Sequence, residues 1–284
     1  MKFLKSFALV FAFAALFTSC SEDEVADSFE LFTADEQVTV LDAEDGNAEI
    51  EQLEVMSDDA FNIAANGRVM TDSSTLCDLT IVTHDTATNT IVIDFGDPGC
   101  EGPDGRVRTG KITIVYTGAF ARDHSGQKTI TFDNYAVNGN GVNGTVVIGA
   151  WSKNGNGNWA STVTTSGLVF SYNDGTTFTI TAGTRTREII QGDLGRIVAK
   201  RITGGSNGIN RNGRSYQARI SNDEPITFKR SCLRLGNPYP VEGRRGVQVD
   251  GRPEFKIDFG NGLCDRLAII QIGDNEPIPI VLGR

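Results

Sequence analysis

Ile91 to Tyr116 reads IVIDFGDPGCEGPDGRVRTGKITIVY, and this stretch decides the fold. Ile91, Ile93 and Phe95 alternate with Val92 and Asp94. After a Gly- and Pro-rich interval, Ile112, Ile114 and Tyr116 alternate with Thr113 and Val115. Successive side chains of a strand point to opposite faces, so a period of two marks strands with one face packed and one face wet. The same period returns at Phe178 and Ile180, and at Phe255, Ile257 and Phe259. Turn signals fall between the runs at Asp85–Asn89, His124-Ser125-Gly126, Asn173-Asp174-Gly175, Asn210–Gly213 and Asp250-Gly251. Short links of this kind favour antiparallel pairing. The expectation is an all-β protein, an antiparallel sheet or sandwich of about a dozen strands.

Moving outward, Ile93-Asp94-Phe95-Gly96 followed by Cys100 is echoed by Ile257-Asp258-Phe259-Gly260 followed by Cys264. Each copy has a cysteine upstream, Cys77 or Cys232. The echo suggests two similar units, 68–183 and 184–284. The shared frame selects the pairings Cys77–Cys100 and Cys232–Cys264 from the three that four cysteines allow. Each bridge closes a loop of roughly 20–35 residues, contributing about 3–4 kcal/mol in the chain-entropy model.

The fifth cysteine has another fate. Lys2 and Lys5 precede an apolar run from Phe7 to Phe17, too short to span a bilayer comfortably and of signal-peptide length. It ends Leu16-Phe17-Thr18-Ser19-Cys20, which resembles a lipobox despite Phe17 in place of the usual aliphatic residue. The expectation is a signal peptide over 1–19 and acylation of Cys20, palmitate included. Ser21-Glu22-Asp23-Glu24 resembles the acidic export signal of Bacteroidota lipoproteins, implying the outer face of the outer membrane.

Charge is unevenly spread. The chain has a net charge of −10, and Ser21–Gly67 carries fifteen Asp or Glu and no Lys or Arg. Residues 20–46 read as an acidic tether. Within 47–67, Ile50, Leu53, Met56, Ala60, Ile63 and Ala64 recur at helical spacing, predicting a short helix over Ala48–Ala65, capped at Asp45 or Asn47, that docks on the β body of 68–284. Thr184–Lys256 holds fifteen basic residues against seven acidic ones. Arg185, Arg187, Lys200, Arg201, Arg211, Arg214 and Arg219 are its densest run. They would meet lipopolysaccharide phosphates, an acidic glycan or the chain's own acidic stem, with nucleic acid excluded by sparse aromatic interleaving.

Ile91–Val137, Gly208–Tyr216 (GINRNGRSY) and Ile257–Leu282 together resemble a Bacteroidota outer-membrane lipoprotein family of unknown function. The resemblance covers most of the body. It implies a lipid anchor and a β-rich fold, and it brings no activity or site.

No catalytic constellation stands out, so the expectation is no enzyme and no cofactor. Asp94, Asp97, Glu101 and Asp104 crowd one loop as candidate Ca²⁺ ligands, and Asp258, Asp265 and Asp274 do so near the second copy. Asp and Gly are equally ordinary turn residues. No cysteine or histidine has zinc-ligand spacing. A Ser-His-Asp triad would have to use His84 or His124, and neither adjoins a nucleophile elbow. Trp151 and Trp159 flank a polar loop and are candidate sugar-stacking residues, although core packing explains tryptophan as well. Asp85-Thr86-Ala87 resembles an O-glycosylation acceptor centred on Thr86. The expected role is a non-catalytic surface lipoprotein with a binding or accessory function; the alternatives are a glycan-binding component of a polysaccharide-uptake system and, behind it, a glycoside hydrolase needing two convergent acids.

Overall fold

The structure, a computed structural model, describes residues 32–66, 75–118, 126–235 and 237–283. A long helix, α1 (Ala34–Asn66), precedes fifteen strands. The first eight are β1 (Ile81–Asp85), β2 (Thr90–Glu101), β3 (Val107–Tyr116), β4 (Lys128–Val137), β5 (Asn140–Ile148), β6 (Ser152–Lys153), β7 (Trp159–Ser171) and β8 (Thr177–Gln191). Then come β9 (Ile197–Ile209), β10 (Ser215–Ile220), β11 (Ile226–Lys229), a short helix α2 (Arg230–Arg234), β12 (Glu242–Val249), β13 (Phe255–Asn261), β14 (Leu267–Gln271) and β15 (Ile278–Val281). All fifteen strands belong to one antiparallel sheet in near-sequential order; only β6 and β11 lie off its main path. The all-β expectation therefore holds, as a single sheet.

A division at 183/184 falls inside β8, where Gly183 pairs with Ser206 and Thr184 with Gly205 without interruption. The two expected units thus share one ladder. The sequence echo has a local cause instead. Asp94 Oδ1 accepts a hydrogen bond from the Gly96 amide, and Asp258 Oδ1 from the Gly260 amide, each at 2.9 Å. Both glycines have positive φ, which glycine alone adopts without strain. Ile93, Phe95, Ile257 and Phe259 are all buried. The echo is one aspartate–glycine hydrogen bond used twice within strands, at a register shift in β2 and near the end of β13. Cys77 is joined to Cys100 and Cys232 to Cys264.

The helix departs from expectation. It starts at Ala34, so 34–46 belong to it and not to a tether. A capping box begins it: Glu36 Oε2 accepts from the Thr33 amide at 2.7 Å, and the Glu36 amide donates to Thr33 Oγ1 at 3.3 Å. Asp45 and Asn47, the expected caps, are interior. Every residue from Gly46 to Glu54 is buried. Nine consecutive residues make two and a half turns, so no face of this segment reaches water.

A flat sheet cannot cover all sides of a helix, and this one curls. Partners of α1 come from β4, β8, β9 and β12 and from the loops before β3 and after β12. Arg106, before β3, donates to Tyr239 Oη, before β12, at 3.3 Å, so distant parts of the sheet meet around the helix. The core follows: Ile50, Leu53, Met56 and Ala60 pack with inward residues such as Ile93, Ile114, Ile130, Phe178 and Phe255.

Gly46 sits mid-helix, where glycine costs about 1 kcal/mol relative to alanine. A β-carbon there would lie 3.0 Å from Phe170 Cε2, so the bare backbone lets β7 approach. Gly46→Leu is expected to destabilise the protein by roughly 2–3 kcal/mol through overpacking, read as a lower denaturant midpoint with unchanged slope.

Candidate functional site

Helix α1 carries ten acidic residues and no basic one. Alone it would be a poor helix, because Asp45/Glu49 and Glu54/Asp58 are like charges one turn apart. The sheet supplies the counter-charge. Asp35 pairs with Arg214 at 3.1 Å, Glu36 with Arg252 at 3.0 Å, Asp42 with Arg211 at 2.9 Å and Glu49 with Arg106 at 3.3 Å. Glu44 pairs with Arg245, and Glu54 with Lys200 and, at 2.5 Å, with Arg187. Asp58 takes Lys128 at 2.6 Å. Neutral groups fill in: Tyr135 Oη donates to Glu49 at 2.7 Å, Tyr239 Oη to Asp45 at 2.6 Å, and Arg185 to Asn47 Oδ1.

Strand β8 shows how this lining is made. Phe178 and Ile180 face inward, then a bulge between Ile180 and Ala182 shifts the parity, and Arg185 and Arg187 face inward beyond it. One irregularity changes the inner face from apolar to cationic opposite the acids of α1. At β12 the adjacent Arg244 and Arg245 separate, one to the outer surface and one to Glu44.

Burial sets the electrostatics. It would raise the Glu54 carboxyl, but the Arg187 guanidinium and Lys200 ammonium outweigh it and hold the group at about 2, against an ordinary 4.5. At Glu44 burial prevails over Arg245 and the pKa rises. Burial, followed by the neighbouring Arg245, brings Arg185 down to about 10.

Five members of the basic run, Arg185, Arg187, Lys200, Arg211 and Arg214, are thus committed to the acidic stem. Arg201 and Arg219 face outward. Of the calcium candidates, Asp94 pairs with Lys111 at 3.0 Å, Asp104 binds Arg108 through both oxygens at 2.9 and 2.6 Å, and Asp97 and Glu101 are exposed. Asp258 pairs with Arg244, Asp265 accepts from the Leu267 amide and Asp274 is exposed. Among the described residues no three His, Cys, Asp or Glu side chains converge to hold a metal ion. His84 Nε2 lies 2.8 Å from Tyr116 Oη, while His124 and Cys20 lie outside the described residues. Trp151 is half-buried over the Arg187 guanidinium, Trp159 is 38% exposed beside Lys153, and Thr86 is exposed on the β1–β2 turn.

Sequence reasoning missed Asp42, Glu44, Glu49 and Glu54 as interior residues. The signal that would have found them is Thr33-Ala34-Asp35-Glu36, a capping box placed well before the apolar stripe. It also missed a groove of about 650 Å³ on the outer face of β9, β10, β12 and β13, lined by Gly204, Gly205, Arg219, Glu224, Arg244, Gly246, Glu254 and Lys256 among others. Comparison with known proteins gave no match to any family model, curated protein or solved structure.

Glu54 fixes the sign of one pH dependence. Below pH 4.5 the unfolded chain takes up a proton that the folded chain refuses until about pH 2. The stability Glu54 contributes is present above that window and lost as pH falls through it. Urea midpoints of the wild type are expected to drop across this range, and those of Glu54→Gln to drop less while starting lower at neutral pH.

Proposed function

We propose that this chain is an outer-membrane lipoprotein, anchored by acylated Cys20 at the cell exterior, whose β body is a non-catalytic binding or accessory module. The observation that carries the reading is the joining of all four remaining cysteines into two bridges. Such bridges belong to oxidising compartments and fit the export signal written before Cys20. The interior supports a binding role on the outside: the sheet's hollow is filled by α1, and its inward carboxylates are committed to cations or donors of the sheet.

The anchor geometry is tighter than a 20–46 tether implies. Phe32 is already buried against Phe255, with ring centroids 5.5 Å apart. Residues 21–31 alone separate Cys20 from it, spanning at most about 40 Å when fully extended. The N-terminal end of α1, with the turns at 172–176, 210–214 and 250–254, is then the end nearest the lipid. The partly exposed Trp159 favours a glycan-binding version of this role, because an indole at the surface can stack on a sugar ring.

Metabolic labelling with a palmitate analogue is expected to mark the wild type and not Cys20→Ser, and intact cells are expected to yield the protein to external protease. Equal labelling of both chains would refute the anchor.

A further inference from the structure

We infer that the outer-face groove across β9, β10, β12 and β13 binds an acidic glycan through Arg219 and Lys256. The inference deepens the binding role proposed above and rests on it. Register places Gly205, Arg219, Gly246 and Lys256 side by side on four successive strands. Two cations thus flank a glycine floor, with their backbones about 10 Å apart across two strand spacings. Among the described residues Lys256 is in no ion pair, and the Arg219 guanidinium donates to the Gln217 amide oxygen at 3.0 Å. They contrast with Arg244 in the same groove, held by Glu224 at 2.7 Å and Asp258 at 2.8 Å. Arg244 is therefore a fixed wall, while Arg219 and Lys256 retain charge for a ligand.

The floor shows where an anion fits. Glu254 is exposed, and its carboxylate lies where a β-carbon on residue 246 would stand. The absence of a side chain at Gly246 leaves a carboxylate-sized space between the two cations, which Glu254 occupies. A ligand carboxylate would displace it. The next outward row, Gln217 opposite Gln248, adds amide donors and acceptors suited to hydroxyls. No aromatic residue lines the groove, which disfavours base stacking, and Ile220 is the one large apolar residue in its lining. Repeated anions and hydroxyls on one open-lying polymer describe a uronate-type polysaccharide.

Calorimetry with the detergent-solubilised full-length protein tests this, using polygalacturonate, neutral dextran and polyglutamate as probes. Polygalacturonate is expected to bind, to weaken as salt screens the contacts, and to outcompete the other two. The double variant Arg219→Gln/Lys256→Gln should lose about tenfold or more in affinity, some 1.4 kcal/mol. Glu254→Gln should gain several-fold, and Arg266→Gln, an exposed cation outside the groove, should change nothing. Absent binding, an unaffected double variant, or equally tight polyglutamate would overturn the groove assignment. Palmitate labelling of the same preparation separates the failures: intact labelling without binding refutes the groove alone, and absent labelling refutes the anchor.

Discussion

The structure depends on a helix rich in carboxylates being held inside a sheet lined with cations. Neither part is stable by itself. The helix repels itself, and the inner face of the sheet and its loops would gather Arg106, Lys128, Arg185, Arg187, Lys200, Arg211 and Arg245 around an empty channel. Desolvating so many ions is costly, and such pairs often do no better than apolar residues of the same size. Glu51 Oε1, Arg187 Nη2 and Arg245 Nη2 are buried with no hydrogen-bond partner among the described residues, which adds to that cost. Removing one partner is worse, at about 3–5 kcal/mol, because it strands the other. What the charges supply is position. An apolar stripe on a 33-residue helix tolerates sliding by a turn; the sequence of pairs from Asp35–Arg214 to Asp58–Lys128 does not.

That same arrangement explains which parts of the fold were legible. Strands announce themselves through a period of two that depends only on one wet and one dry face, so Ile91–Phe95 and Phe255–Phe259 were readable. The cysteine pairs were readable from their shared frame. The first turns of α1, Ala34–Asn47, were not, because the positions they bury include Glu36, Thr39, Asp42, Glu44 and Asn47, which leave no apolar stripe to read. Five acids without a base, Asp35, Glu36, Asp42, Glu44 and Asp45, look like a solvated tether when their partners lie 169 to 216 residues away in sequence. The basic band is legible, and the stem is one of the three partners its charge allows. Choosing among them required the bulge in β8 that turns Arg185 and Arg187 inward.

Candidate sites divide along the same line. Carboxylates that looked like metal ligands are spent on neighbouring cations or turn amides, as at Asp94 and Asp104. The outer groove was invisible because it is made of register: Gly205, Arg219, Gly246 and Lys256 are scattered in sequence and adjacent only across four strands. With the hollow filled by α1, the binding role proposed here would fall to such outward rows and to the turns at either end.

Hydrogen exchange of the backbone amides from Gly46 to Glu54 tests the central claim most directly. The account predicts protection equal to that of β8, lost only in global unfolding. Exchange within seconds under native conditions, while the strands stay protected, would show that the acidic segment lies outside the sheet and would contradict the account.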